Sequence, residues 1–149
     1  MSTEIINRKN DSQIDELELA MVENLELIDC PLVHRFTDGM YIREIFMPKG
    51  SLITSKIHLT EHPFTISKGS ALVCIDGNDW QLFEAPYTGV TKTGTRRVLY
   101  ITEDCVWTTY HLNSDNQQDV NKIEERIIEK HTNELLDYNK INELKNQLL

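Results

Sequence analysis

A chain of 149 residues with 40% hydrophobic content has single-domain length and enough apolar side chains for one packed core. Its formal charge of -9 is uneven: residues 1–29 carry eight acids and two bases, residues 113–149 eight and five, and residues 30–112 eight of each. No basic face is left to track a phosphate backbone, which argues against nucleic-acid binding, and an acidic chain is repelled by anionic membranes.

The opening stretch MSTEIINRKNDS lacks the apolar run of a secretion signal. No segment approaches membrane-spanning length, so the expectation is a soluble protein kept in a cytoplasm. Ser12 can cap a helix with Asp15 three residues on. Ile14, Leu17, Met21, Leu25 and Ile28 then recur at spacings of three or four, predicting a short amphipathic helix.

From residue 30 the pattern changes. All six glycines and all four prolines lie between positions 31 and 94, and every aromatic residue except Tyr138 lies between 36 and 110. Short apolar runs alternate with turn signals: VHRF, MYIREIFM, SLITSKIH, PFTIS, SALVCI, WQLFE, RRVLYIT and VWTTYHL, with Asp38-Gly39, Lys68-Gly69, Asp76-Gly77 and Glu103-Asp104 among the turns. About eight strands joined by hairpins predict a mainly β, antiparallel sandwich or barrel over residues 30–112. Cys30, Cys74 and Cys105 are odd in number and far apart, and read as reduced core residues. Tyr41, Trp80, Trp107 and Tyr110 read as core aromatics.

After Leu112 the period becomes helical. Val120, Ile123, Ile127, His131, Leu135, Tyr138, Ile141, Leu144 and Leu148 keep one stripe to the last residues. A continuous helix from Asp119 would have about 31 residues and a length of about 46 Å, more than a small barrel can cover. The stripe must then meet a partner or fold back near Asp137-Tyr138-Asn139. The chain thus divides into a tail and helix over 1–29, a barrel over 30–112 and a helical extension over 113–149.

Two tracts carry a resemblance. Gly50, five residues, Lys56, Ile57, His58, three residues, His62, six residues and Gly69 reproduce the spacing of the first cupin motif, with Lys56 for its first histidine and His62 for its glutamate. Lys92, Thr93, Gly94, Thr95, Arg96 and Arg97 resemble the second motif, with Arg97 at the ligand histidine. The resemblance implies a cupin-type (jelly-roll) barrel. It also implies damage to the metal centre, because Lys56 and Arg97 are cations and repel a divalent ion.

His58, His62 and His111, or His34, could still hold a divalent transition metal through neutral imidazoles. The other reading makes them hydrogen-bonded residues of the barrel mouth. Lys56 and Arg97 could clamp a carboxylate or phosphate, or pair internally with Glu61, Glu84, Glu103 or Asp104. No Gly-x-Ser-x-Gly elbow and no phosphate loop occurs.

GMYIREIFMPKG, KIHLTEHPFTISKG and EAPYTGVTKTGTRRVLYITEDCVWTTYH together look like small cupin-like proteins encoded by tailed bacteriophages. That resemblance covers most of residues 30–130 and implies a phage origin and a barrel of this type; together with the damaged metal motif and the apolar helix stripe it leads to the reading of a non-catalytic structural or assembly protein without cofactor. Such a protein would form a homo-oligomer, stay in the host cytoplasm during assembly and then join other virion proteins. Ile123, Ile127, Leu135, Tyr138, Ile141, Leu144 and Leu148 would then form the partner interface. The alternatives are a metal-dependent isomerase or dioxygenase and a binder of a small anion or sugar.

Overall fold

The structure, a computed structural model, describes residue 14 and residues 16–21, 28–75 and 79–128. Two compact units divide the chain, and the larger, Asp29–Glu129, carries everything described below. In the smaller unit, residues 14 and 16–21 are helical (α1). Ile28, expected on that helix's stripe, is non-helical and half exposed.

Among its described residues the larger unit holds seven antiparallel strands: β1 (Leu32–Thr37), β2 (Met40–Met47), β3 (Leu52–Thr54), β4 (His62–Ile75), β5 (Gln81–Glu84), β6 (Tyr87–Thr91) and β7 (Arg97–Leu112). The long strands β4 and β7 pair along most of their length, from Phe64 opposite Thr109 to Ile75 opposite Arg97. The short strands attach to their outer edges: β2 and β3 line up along β7, β6 and β5 along β4, and β1 extends β2. Two sheet halves result, β1-β2-β7-β4-β6 and β3-β7-β4-β5, sharing one spine. One core joins them, with Met47, Phe64, Ile66, Cys105 and Trp107 from the first half meeting Ala71, Val73, Leu99 and Ile101 from the second.

Two expected turns are instead bends inside strands. Lys68-Gly69 and Glu103-Asp104 sit side by side where β4 and β7 cross from one half to the other, with register shifts between Ile66 and Ala71. Gly69 has φ +83, and a Cβ there would overlap the Asp104 backbone carbonyl. Its lack of a side chain lets the spine fold without breaking. On β4 the inward, core-forming positions are even before this bulge (62, 64, 66) and odd after it (71, 73), as an inserted residue requires, with Cys74 buried on the opposite face. β6 escaped the sequence reading because Gly89 interrupts its pattern. A Cβ at Gly89 would meet the Phe64 ring at 2.8 Å, so the glycine makes room for a core aromatic.

Helix α2 (Val120–Ile127) begins at Asp119, whose carboxylate accepts the Asn121 N–H at 3.0 Å. It stops after eight residues: Ile128 is extended (φ -124, ψ 130) and bridges His58, while the Leu59 N–H donates to the Ile127 carbonyl at 2.8 Å. The single long C-terminal helix expected from Asp119 therefore does not form, because strand-like bonds to the segment around His58 capture the chain where the helix would continue. Ile123 (1% exposed) and Ile127 (5%), expected at a partner interface, lie instead in a cluster with Tyr41, Phe36 and Ile128. The amphipathic face is used on the chain's own barrel. His131, Leu135, Tyr138, Ile141, Leu144 and Leu148 lie outside the described residues.

Cys74 and Cys105 are buried and Cys30 partly so, all three free. Of the expected core aromatics, Tyr41 and Trp107 are buried and Tyr110 is intermediate. Trp80 is half exposed, just ahead of β5. No helix among the described residues is long and apolar enough to cross a membrane.

Candidate functional site: a histidine and arginine cavity inside the barrel

On β2, Tyr41, Ile45 and Met47 share a face with Arg43, a cation in an otherwise apolar row. On β7 the inward row runs Arg97, Leu99, Ile101, Cys105, Trp107, Thr109 and His111, turning polar at both ends. These rows and the ends of β3, β4, β6 and α2 enclose a cavity of about 220 Å³. Its floor is Ile45, Met47, Leu99 and Trp107, and Ile127 and Ile128 close one side. Its charged lining is Arg43, Arg97 and Lys56 against Glu124, a net positive balance.

The two cupin-like tracts meet at this cavity. The Gly94 N–H donates to the His58 carbonyl at 2.7 Å, the His58 N–H to the Thr95 carbonyl at 3.3 Å, and the Arg97 N–H to Ser55 Oγ at 2.7 Å. The Arg97 guanidinium lies over the rings of Phe64 (5.2 Å) and Trp107 (5.8 Å), so the buried cation rests on π-faces. Glu61 is paired with Lys92 and Glu103 with Lys49, two of the carboxylates expected for internal pairing with Lys56 or Arg97. Asp104 accepts from the Lys49 backbone N–H at 2.8 Å. Arg96, almost fully buried, donates from Nε to the Ser55 carbonyl at 3.4 Å.

His58, His62 and His111 are brought together. The His62 ring sits 4.7 Å from that of His58 and 4.4 Å from that of His111, centre to centre. His34 is elsewhere, its Nδ1 2.6 Å from the Tyr41 hydroxyl. Burial pushes His58 down to about 3, helped by the nearby charges of His62, Arg97, His111 and Arg43. His111 is pushed down to about 3 by burial, then by His62 and Arg43. Burial also lowers His62, with Arg97 adding to it and the hydrogen bond to Thr60 partly opposing it. At neutral pH the three imidazoles are uncharged.

Neutral imidazoles are also what a metal needs, but the donor set fits a divalent ion poorly. Among the described residues no three His, Cys, Asp or Glu side chains are placed to share one. The histidines also face two guanidinium groups.

Among the described residues, Arg43 Nε, His58 Nδ1, His62 Nε2, Thr91 Oγ1 and His111 Nδ1 are buried side-chain atoms without a hydrogen-bond partner in the protein. All five line this cavity. Leaving a buried polar atom unbonded costs about 1–3 kcal/mol, so these atoms call for polar partners from within the cavity, whether water or a ligand. A second concavity, between Lys49, Lys68, Gly69, Glu103 and Asp104, is an open surface cleft where Lys49 already pairs with Glu103 at 3.4 Å.

Sequence reasoning found Lys56, His58, His62, Arg97 and His111 but missed Arg43, Thr91, Thr109 and Glu124. Arg43 had a legible signal, a lone charge on the inward register of MYIREIFM. Thr91 had none, since β6 itself went unread.

Neither a protein-family model nor a curated protein matches the chain. Among solved structures it is similar to an RmlC-like cupin family protein with a double-stranded β-helix fold from Methanocaldococcus jannaschii, at 10% identity over 60% of this chain and 84% of that one, TM-score 0.48. It is also similar to a cupin domain from Schizosaccharomyces pombe (14% identity, 76% and 77% covered, TM-score 0.49). A third neighbour is a cupin-2 domain protein from Shewanella frigidimarina (10%, 67% and 91%, TM-score 0.46). At these TM-scores the likenesses carry no argument about function.

Proposed function

We propose that the barrel is a binding module for a small organic anion, held in the internal cavity by Arg43 and Arg97 with Lys56 at its rim. The observation that carries this reading is the convergence of five unpartnered buried polar atoms on one cavity with a net positive lining. Guanidinium groups held in a dry site favour carboxylate or phosphate oxygens, and the apolar floor suits a carbon body. A cavity of about 150 Å³ takes benzene, so the 220 Å³ here suits about nine non-hydrogen atoms. This reading requires no metal ion, and the charges of Arg43, Arg97 and Lys56 beside the three histidines disfavour a divalent cation.

This reading is preferred to an assembly role in a phage particle. That role drew its physical support from an outward helix stripe, and of the three described stripe residues Ile123 and Ile127 pack against Tyr41 and Phe36 of the barrel while Val120 is only partly buried.

Thermal unfolding against carboxylates, phosphates and neutral sugars tests the proposal. A carboxylate or phosphate at a hundred times its Kd stabilises the fold by about 2.7 kcal/mol, and Arg43→Met abolishes the effect. A flat response to every anion overturns it.

A further inference from the structure

Part of the cavity lining calls for hydrogen-bond donors. His62 Nδ1 is 3.0 Å from the Thr60 carbonyl, which can only accept, so the proton sits on Nδ1 and Nε2 is a bare lone pair. His62 lies opposite Thr91 in the pairing of β4 with β6. Both line the cavity with an unpartnered atom, His62 Nε2 and Thr91 Oγ1, on residues 3% and 1% exposed. Glu124 of α2 is the only acid among the described lining residues. Its carbonyl accepts the Ile128 N–H at 2.9 Å, and Ile128 bridges His58, whose ring is 4.7 Å from that of His62. A lone pair, a hydroxyl oxygen and a carboxylate can all accept from one cationic donor.

Arg43 makes the opposite demand. Its Nε–H is buried without an acceptor, and among the described residues no ion pair joins it to Glu124. Both charges nevertheless reach one buried ring: burial raises the Tyr41 hydroxyl pKa, Arg43 opposes the rise and Glu124 adds to it. Opposite charges thus line one cavity without pairing. A simple carboxylate answers Arg43, but Glu124 repels it and His62 Nε2 stays without a donor. A hydroxyl adds one donor, whereas an ammonium adds three and a positive charge. A zwitterion answers both demands, and a carbon body suits Ile45, Met47, Leu99 and Trp107.

We propose that the ligand is a small zwitterionic amino acid with an apolar side chain, its carboxylate held at Arg43 and its ammonium shared among His62 Nε2, Thr91 Oγ1 and Glu124. This rests on the anion-binding reading above for the carboxylate and adds the ammonium, which that reading does not require. Leucine, with about nine non-hydrogen atoms, matches the cavity of about 220 Å³.

Calorimetric titration of the full chain at neutral pH with matched probes separates the two claims. The probes are leucine against 4-methylpentanoate and valine against 3-methylbutanoate, which lack the ammonium. Two more are 2-hydroxy-4-methylpentanoate, with a hydroxyl in its place, and leucine methyl ester, which keeps the ammonium and loses the carboxylate. The amino acids bind at least about tenfold more tightly than their deamino partners, because a site built for a donor penalises its loss. The hydroxy acid is weaker than leucine, and the ester binds weakly or not at all. In Glu124→Gln, an isosteric change on a partly exposed helical residue, leucine weakens and 4-methylpentanoate tightens, because the repulsion is gone. His62→Gln is the second variant, and there too the ratio within each pair falls towards one. Deamino acids that bind as tightly as the amino acids in both pairs, or a hydroxy acid as tight as leucine, overturn the ammonium inference and leave anion binding standing. No binding of any acid, as in a cavity that holds water alone, or an ester as tight as leucine, overturns both.

Discussion

Acidification tests the buried histidines without reference to any ligand. His58 and His111 ionise near 6.5 in an unfolded chain but are held down to about 3 in the fold, so each native imidazole resists the proton its unfolded form takes. Between those two pH values the unfolded state binds more protons, and stability therefore rises with pH. The contribution is complete above about pH 7 and is lost progressively as pH falls through 6.5 towards 3. Each group costs about 1.4 kcal/mol per pH unit once the pH is well below 6.5, so at pH 5 the pair removes roughly 4 kcal/mol relative to pH 7.5. That is a large share of the 5–15 kcal/mol typical of a domain, and paired surface carboxylates add little to it above pH 5. Urea denaturation at pH 7.5 and 5.0 measures it as a shift in midpoint at constant slope. His58→Gln and His111→Gln should each remove a large share of the pH dependence, and the double variant should leave only what His62, also lowered by burial, contributes. An unchanged dependence in the double variant, or none in the wild type, would refute the placement of these rings against Arg43 and Arg97.

Two further outcomes follow from the packing. Ile123→Ala, at a side chain 1% exposed against Tyr41, lowers stability by about 2–5 kcal/mol and leaves the hydrodynamic size unchanged. A changed oligomer with unchanged unfolding would restore the partner-interface reading of that helix face. Gly69→Ala meets both a positive φ and the Asp104 carbonyl, and costs more than about 3 kcal/mol or prevents folding. Gly39→Ala, at φ +75 with open space around the added carbon, costs only about 1–2 kcal/mol. Equal losses at the two glycines, read from denaturation midpoints, would argue against the close crossing of β4 and β7.

The residues alone determined that the middle of the chain is antiparallel β, because period-2 apolar runs punctuated by glycine and proline have no other stable use. The resemblance of two local tracts to the cupin motifs singled out Lys56, His58, His62 and Arg97, because such spacing survives in one dimension, and His111 joined them as a further histidine at the end of VWTTYHL. What they could not decide is where two runs join into one strand. Lys68-Gly69 and Glu103-Asp104 look like turns singly, and only their apposition across β4 and β7 makes them bends. Nor could periodicity end the helix at Ile127, because the competing bonds come from His58 and Leu59, nearly 70 residues earlier in the chain. Arg43 and Thr91 joined the site for the same reason: which polar side chains face one another inside a barrel depends on register between strands far apart in sequence, and a single strand's pattern carries no record of its neighbour's.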